Sequence, residues 1–424
     1  MTSRAGVQKA GFCGIDFGTS NSTVAVLHGN EIVLAPVEGD HETIPSAIFF
    51  SFSEGPLFGR RAIQDYTDHE PGRLMRSLKS ILGYGLFHEK TRLQKQNLAL
   101  SDVLGLFLAH LKKKSEGFAG RELESAVLGR PVQFIEGDAA ADRQAQDDLE
   151  SVARKHGFRN IAFQYEPIAA ALEYERSVRG EETVLIVDIG GGTADFSVVR
   201  VSPDRARAAD RAGDILANRG IRVGGTDFDR MISLRYVMPY FGYGSTYGEK
   251  RLELPGAIFM DLTTWSRINF LYTKSALTML RSLRHEAAER DKLDRLLHVI
   301  EHRDGHRLIG KVEHAKIALT EAKTSQIDLA EFIPDLRIPL DRKKVAAAVE
   351  PGIARIGEAI LATLKDAGLK PAGIDTVFLT GGSSLMPAVQ DCVSRLMGRK
   401  DLAVGDMFGA VGKGLGLDAQ ARFG

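Results

Sequence analysis

The chain has 424 residues, is 44% hydrophobic, and carries 55 basic and 55 acidic side chains, which balance to a formal net charge of zero. This length and apolar content predict more than one buried core, whereas the neutral balance gives no basic surface for nucleic acid or anionic lipid. No apolar run reaches the length of a membrane span, and the N-terminus lacks the apolar segment of a signal peptide. Its two cysteines, Cys13 and Cys392, exclude a disulfide framework. We therefore expect a cytoplasmic protein that binds neither nucleic acid nor a membrane.

Apolar and alternating runs predict the same succession of strands and helices in both halves of the chain. In the first half we expect strands at residues 11–15, 22–28 and 31–36, a helix at 102–114, a strand at 125–128, a helix at 139–156, a strand at 161–165 and a helix at 167–176. In the second half we expect strands at 183–188, 194–201 and 214–218, a helix at 343–367, a strand at 375–379, a helix at 387–397 and a terminal helix near 407–417. The repeated order predicts an internally duplicated α/β protein.

The repeat also predicts where the chain divides. We expect a first lobe at residues 1–180, completed by residues 402–424, and a second lobe at residues 181–401. Two stretches break the repeat, at about 40–107 and 225–345, and we expect them to form an inserted subdomain in each lobe.

Two glycine-rich turns carry most of the functional signal. Each follows a short apolar strand and precedes an alternating strand, which predicts a hairpin with an aspartate, Asp16 or Asp188, at the end of its first strand. Glycine allows backbone N–H groups to approach a phosphate closely, whereas an aspartate must meet a cation, for which Mg²⁺ carrying water is the natural choice. Two such turns facing each other predict a clamp for a polyphosphate and its metal ion.

Five separated motifs, at residues 16–21, 165–171, 188–195, 378–383 and 409–415, resemble those of the actin-type ATPase superfamily. Within it they are most similar to the nucleotide-binding domain of the DnaK-type heat-shock chaperones, the heat shock protein 70 family. The resemblance implies a two-lobed, actin-like and ribonuclease H-like α/β ATPase fold. It also implies ATP or ADP with Mg²⁺ as ligands and slow hydrolysis of ATP.

The segments at residues 129–131 and 157–167 resemble most the short YegD-type members of that family, which are chaperone relatives without an attached peptide-binding domain. The resemblance therefore implies that this chain has no peptide-binding domain. A protein client or partner is expected, but the sequence does not identify it.

The resemblance implies roles for individual residues around the phosphates. Mg²⁺ would be held, mostly through water, by Asp16, Asp188 and Asp195. The implied catalytic set, which surrounds the γ-phosphate and the attacking water, is Lys79, Glu166, Asp188, Thr193 and Asp16. The residues implied to contact phosphate are Gly18, Thr19, Ser20, Asn21, Gly190, Gly191, Gly192, Thr193, Gly224, Gly225 and Thr226.

On the adenosine side, the same resemblance assigns hydrogen bonds with ribose and base to Glu313, Lys316 and Thr320. Ile317 and Leu385 stand where the family has two arginines that sandwich the adenine ring. A lost guanidinium stack is worth about 0.5–2 kcal/mol per face, so we expect weaker nucleotide binding than in DnaK-type relatives. The other implied adenosine contacts are Gly381, Gly382, Ser383 and Asp406.

Three functions remain open for such a cleft: a slow ATPase that switches partner interactions as a chaperone does, a small-molecule kinase, and a filament-forming protein of the MreB or actin type. A kinase needs a base for the substrate hydroxyl and an open acceptor pocket. Lys79, and Glu166 followed by Pro167, favour water as the acceptor.

Two further segments have competing interpretations. Residues 240–272 are rich in aromatic side chains, within a stretch that is long for the family, and form either a partner surface or additional core. His298, Glu301 and His302 match a metallopeptidase helix pattern. Their charged surroundings and the lack of an evident third ligand favour a solvated helix face instead.

Overall fold

The computed structural model describes residues 11–83, 85–93, 96–135, 137–176, 178–205, 211–405 and 409–424. Within these ranges no helix combines the length and the apolar character that crossing a bilayer requires.

The first half of the chain forms one main sheet, small sheets and the helices that cover them. Its strands are β1 (Gly11–Phe17), β2 (Asn21–His28), β3 (Glu31–Leu34), β4 (Thr43–Pro45), β5 (Ala47–Ser51), β6 (Gly55–Phe58), β7 (Gly72–Arg76), β8 (Lys90–Leu93), β9 (Gln96–Ala99), β10 (Leu123–Arg130) and β11 (Asn160–Tyr165). Its helices are α1 (Gly59–Thr67), α2 (Leu100–Ala119), α3 (Ala139–Lys155) and α4 (Glu166–Glu175), with short 3₁₀ helices at Leu78–Ile81 and Gly85–His88.

The second half adds the other main sheet and a larger set of helices. Its strands are β12 (Glu182–Ile189), β13 (Ala194–Val201), β14 (Ile215–Ile221), β15 (Thr246–Tyr247), β16 (Leu252–Glu253), β17 (Thr324–Asp328), β18 (Arg337–Asp341), β19 (Thr376–Thr380) and β20 (Ala403–Val404). Its helices are α5 (Gly225–Tyr236), α6 (Gly256–Leu262), α7 (Lys274–Glu286), α8 (Arg290–Glu301), α9 (Gly305–Glu321), α10 (Arg342–Asp366), α11 (Pro387–Met397) and α12 (Ala410–Phe423).

The two main sheets have the same strand order, which confirms the predicted duplicated α/β fold. In the first sheet β3, β2 and β1 are antiparallel, and β10 and β11 continue from β1 in parallel. In the second sheet β14, β13 and β12 are antiparallel, and β19 and β20 continue from β12 in parallel. The lobe boundaries at residues 180 and 401 stay a prediction.

Most predicted elements end within a few residues of the observed ones, and α11 matches the predicted 387–397 helix. Helix α2 is longer than predicted, because it continues past Lys114 to Gly120, whose left-handed φ of 67° ends the helix. Helix α12 begins at Ala410, while the predicted start near residue 407 lies outside the described residues.

A shared apolar cluster joins the two main sheets through α4 and α12. It contains Phe12 of β1, Phe378 of β19 and Leu415 of α12. The two helices touch so closely that a Cβ atom on Gly414 would lie 1.8 Å from the carbonyl oxygen of Ala169 in α4. This backbone contact fixes the crossing point of the helices between the two lobes and requires glycine at position 414.

The aromatic segment at residues 240–272 forms mostly additional core. Phe241 and Phe259 are fully buried within the main apolar cluster of the second half. Phe270, by contrast, is 63% exposed. The core interpretation therefore accounts for Phe241 and Phe259, and a partner surface would have to use the half-buried or exposed remainder, which includes Trp265 and Phe270.

The histidine pair of α8 lies on an exposed face of the helix, as the solvated-face interpretation expects. The rings of His298 and His302 lie side by side, tilted by 37°, with their centroids 4.1 Å apart. The Glu301 carboxylate accepts hydrogen bonds from the Arg281 guanidinium, so it is engaged in a surface ion pair.

Candidate nucleotide site

The first glycine-rich turn joins β1 to β2 and has a fixed backbone. A Cβ atom on Gly18 would lie 2.2 Å from the carbonyl oxygen of Asn21, so the turn is too tight for any larger residue at 18. Ser46 holds the turn by donating its hydroxyl to the Gly18 carbonyl (2.7 Å) and its N–H to the Ser20 carbonyl (2.8 Å). No described residue accepts the N–H groups of Thr19 and Ser20, which leaves them available to a ligand.

The second turn, between β12 and β13, is hydrogen-bonded to two other loops. The N–H groups of Gly225 and Thr226 donate to the carbonyls of Gly190 (3.0 Å) and Gly191 (2.7 Å). From the loop after β19, the Ser383 hydroxyl also donates to the Gly190 carbonyl, at 3.0 Å. The second turn and the Gly224–Thr226 loop, both predicted to contact phosphate, are therefore joined through their backbones, and the loop after β19, predicted to contact adenosine, joins them through the Ser383 hydroxyl.

The two turns face each other across the space between the lobes. A Cβ atom on Gly191 would lie 2.4 Å from the Ser20 hydroxyl oxygen. In the described part of the chain, nothing accepts the N–H groups of Gly191, Gly192 or Thr193. Unpaired backbone donors converging from two sides fit the oxygen atoms of a polyphosphate, which would supply the missing acceptors.

Three half-buried aspartates gather beside the turns. Asp188 and Asp195 lie directly opposite each other in the β12–β13 pair, where like charges repel, and Asp16 lies at the end of β1. Burial, with the added charges of Asp195, Glu166 and Asp16, raises the pKa of Asp188 to about 8 against the opposing charge of Lys79. Burial and the Glu166 charge raise the pKa of Asp16 to about 7 and that of Asp195 to about 6, again opposed by Lys79. A divalent cation would restore the ionised form of such a cluster.

Lys79 supplies positive charge within this cluster. It lies in the 3₁₀ helix Leu78–Ile81, and its Nζ is 2.6 Å from Oε1 of Glu166, the first residue of α4. Burial lowers the pKa of Lys79, but the charges of Glu166, Asp16 and Asp195 outweigh this effect and hold the pKa above its ordinary value. The ammonium group therefore stays protonated beside the two turns.

Helix α9 presents the predicted adenosine residues in unequal environments. The Lys316 ammonium is buried and donates to the Asp229 carboxylate (2.9 Å) and to the Gly225 carbonyl (3.1 Å). The Thr320 hydroxyl donates to the Ile317 carbonyl (2.7 Å), so both polar groups are already engaged within the protein. The Ile317 side chain is 53% exposed. Their contacts with a nucleoside stay a prediction.

The remaining predicted adenosine residues lie around the loop after β19. Gly381 has a φ of 78°, and a Cβ atom there would lie 2.5 Å from Oδ1 of Asp188, so glycine is required. Gly382 opens the 3₁₀ helix Gly382–Leu385, in which Leu385 is half-buried. Glu313 is exposed on α9, and Asp406 lies outside the described residues.

The residues present fit an Mg²⁺ ion that is bound through water molecules. Among the described residues, no three His, Cys, Asp or Glu side chains converge closely enough to ligate one ion directly. Asp16, Asp188 and Asp195 can therefore share an ion only with bound water between carboxylate and metal, in keeping with the small size and firm hydration of Mg²⁺.

Sequence reasoning missed the side chains that position α9 from distant segments. Asp229 holds Lys316 although 87 residues separate them. The Arg342 guanidinium donates to the carbonyls of Leu319 and Ala322 (both 3.0 Å), and so satisfies the C-terminal end of α9. No sequence spacing indicates either contact.

A family model described as Hsp70 protein matches residues 85–246 and 279–420. The match includes Glu166, the second turn, α9 and the loop after β19. The match leaves out residues 247–278, within the predicted second insertion, and the residues before 85. The first turn and Lys79 lie in that unmatched N-terminal part, and the structure places them beside the matched part of the site. Because the match spans most of the chain, this protein belongs to the Hsp70 family, an ATP-binding, chaperone-like family with the actin-like ATPase fold.

Proposed function

We propose that this chain is a slow, Mg²⁺-dependent ATPase that changes its partner contacts with the bound nucleotide. The observation that carries the proposal is the 2.6 Å contact between Lys79 and Glu166, which links the first insertion to α4 beside both glycine turns. Lys79 would neutralise charge on the transferring phosphoryl group, while Glu166 would hold Lys79 and orient the attacking water. A carboxylate already paired with an ammonium is a weak base, so we expect slow hydrolysis.

The other residues would position the substrate. The unpaired N–H groups of the two turns would take phosphate oxygens, and Asp16, Asp188 and Asp195 would orient the water shell of the ion. Mg²⁺, when bound, supplies charge neutralisation on the phosphates. Hydrolysis in this family's kind of site depends on positioning and charge more than on covalent chemistry, and the residue types present here supply both.

Titration calorimetry of the purified chain with Mg-ATP tests the binding, and phosphate release tests the turnover. We expect binding at or below millimolar nucleotide and about one turnover per minute or less, compared with about 1–1,000 per second for typical enzymes. No heat at millimolar Mg-ATP would refute the proposal.

A small-molecule kinase remains the second candidate, because an acceptor could occupy the cavity beside the carboxylates. This open cavity is lined by Glu166, Asp188 and Asp195 together with Ser197 and Asn218. ATP consumption that rises with an added small hydroxyl compound would favour a kinase. Light scattering that rises on addition of ATP would favour a filament-forming protein. Slow hydrolysis that the hydroxyl compound does not change, without a rise in light scattering, supports the ATPase.

Partner switching requires a separate test. Lys79→Ala is designed to bind ATP without hydrolysing it, so it serves as bait in the ATP state, and wild-type protein with ADP serves as bait in the other state. A protein captured by one bait and not by the other supports a nucleotide-dependent switch. The likeness to short YegD-type relatives and the lobe boundaries at 180 and 401 are part of the same proposal.

A further inference from the structure

The two insertions meet through contacts that lie outside the glycine motifs. The Tyr66 hydroxyl of α1 donates to Oδ1 of Asn269 (2.8 Å), and the Tyr66 ring packs edge-on against His306 of α9, with centroids 4.8 Å apart. Close by, Nε2 of His69 lies 3.3 Å from Oδ1 of Asp304. These contacts bring α1 and the loop after it, in the first insertion, against the helices of the second.

Arg76, the last residue of β7, stacks on Trp265 at this junction. Its guanidinium carbon lies 4.6 Å from the centroid of the Trp265 ring. His306 fixes the indole, because the two rings pack with centroids 4.5 Å apart and Nε2 of His306 bonds to the Trp265 carbonyl at 3.1 Å. Burial lowers the pKa of His306 to about 4, so the ring is neutral and can donate this bond. Arg76 therefore rests on a fixed platform.

The Arg76 guanidinium is near enough to Glu313, the predicted ribose contact on α9, to feel its charge, and it lacks a hydrogen-bonding partner among the described residues. No described residue accepts a hydrogen bond from the Arg76 N–H groups. Burial lowers the pKa of Arg76, and the charge of Glu313 opposes this effect. Glu313 lies on α9 two turns beyond His306, and Lys79 at the phosphates follows Arg76 by one short turn. A half-buried guanidinium that no protein acceptor engages keeps its N–H groups available to solvent or to a ligand.

We infer that Arg76 is a nucleoside-contacting residue, seated on Trp265, that supplies the cation which Ile317 and Leu385 cannot. The inference rests on the proposed nucleotide binding. A planar guanidinium can lie against a purine ring or donate to acceptors on ribose and base, which an aliphatic side chain cannot do. The ligand class is a nucleoside diphosphate or triphosphate, and Arg76 recognises its nucleoside part and not its phosphates.

The test compares Mg-ADP with Mg-tripolyphosphate, which has no nucleoside. Titration calorimetry is done on wild type, Arg76→Ala and the control Arg73→Ala, which removes an exposed arginine of the same strand. We expect Arg76→Ala to weaken ADP by about three- to thirtyfold and to leave tripolyphosphate unchanged. Arg73→Ala should change neither. Arg76→Lys, which keeps the charge without the planar group, should restore only part of the ADP affinity.

Trp265 is the single tryptophan of the chain, so its emission reports on the same site. In wild type, ADP should change this emission and tripolyphosphate should not. Equal weakening of both ligands in Arg76→Ala, or unchanged ADP affinity, would overturn the inference, because Arg76 would then only join the insertions. If Arg76→Ala does not fold, Arg76→Lys is compared with wild type instead. Weaker binding of ADP with unchanged binding of tripolyphosphate then supports the inference, and any other result overturns it. Wild type that binds neither ligand would refute the proposed function instead.

Discussion

The phosphate side and the base side of the cleft are constructed differently. On the phosphate side, the groups that face the ligand are backbone N–H groups and carboxylates, set by the hairpins of the two sheets and by hydrogen bonds such as that from Gly225 to Gly190. On the base side they are side chains of α9 and of the loop after β19, of which Ile317 is half-exposed and Lys316 already paired. The proposed phosphate contacts therefore follow from the fold, whereas the proposed base contacts depend on side chains that can change without altering the fold.

Breaking the backbone contact on the phosphate side should have the largest effect on affinity. A Cβ atom on Gly224 would lie 2.6 Å from the backbone of Gly191 and Gly192. Gly224→Val should weaken Mg-ATP by about 10–100-fold, because overpacking costs about 1–3 kcal/mol. Gly213→Ala, where a Cβ atom would meet open space, should bind as wild type in the same calorimetric titration. Equal affinities of the two variants would contradict a phosphate site set by the backbone.

Removing the charge of Lys79 should separate chemistry from binding on the same side. Lys79→Ala should slow hydrolysis at least about tenfold and leave ADP affinity within a few fold, since the ammonium acts mainly as the transferring phosphoryl loosens. Single-turnover phosphate release and ADP titration measure the two quantities. Lys155→Ala, which removes an exposed lysine paired with Asp102, is the matched control. Wild-type turnover in Lys79→Ala would show that the role given to Lys79 is wrong.

The buried carboxylates should make the ligand-free protein less stable as pH rises. The folded-state pKa of Asp188 is about 8, well above the value of about 3.9 in an unfolded chain. Between pH 4 and pH 8 the Asp188 carboxyl is therefore protonated in the folded state and ionised in the unfolded state. The free energy of unfolding accordingly falls as pH rises from about 4 through 8. Asp188→Asn should raise the melting temperature at pH 8, by about 1 °C for each kcal/mol of relieved repulsion and desolvation in a chain of 424 residues.

The same variant should lose the tightening of ADP by Mg²⁺, because an amide cannot orient the water shell as a carboxylate does. Thermal unfolding from pH 5.5 to 8.5, with and without Mg-ADP, measures both effects, and Asp366→Asn on the exposed end of α10 is the control. An unchanged melting temperature at pH 8 would contradict the burial argument. Retained magnesium dependence would contradict the metal role.

Adding cations on the base side should have the smallest effect. Ile317→Arg combined with Leu385→Arg should tighten ADP by about 1 kcal/mol, or fivefold, because stacking at an exposed position such as 317 is weak. Each single variant should gain less, since the opposite face stays aliphatic. Stopped-flow release of a fluorescent ADP analogue measures the change. Unchanged or faster release in the double variant would place the base elsewhere.

The same division describes what the sequence could predict. Asp188 and Asp195 lie on one hairpin, and local strand patterns were sufficient to predict that hairpin, although the pairing of the two aspartates across it came from the structure. The contact between Lys316 and Asp229, and the stacking of Arg76 on Trp265, join segments whose relative position depends on how the insertions pack. Neither helical nor strand periodicity carries that information, so these contacts required the structure.

The crossing of α12 over α4 at Gly414 has a consequence for biosynthesis. Helix α12 also covers β1, where a Cβ atom on Gly14 would lie 2.2 Å from the Gly416 nitrogen. About 400 residues separate these two glycines, and at about 5–20 residues per second the ribosome needs roughly 20–80 s to make them. One apolar face of the first sheet therefore stays exposed to solvent until the second sheet and α12 have been synthesised. Stalled nascent chains without residues 410–423 should accordingly be cleaved by protease within the first lobe, and chains that include them should resist.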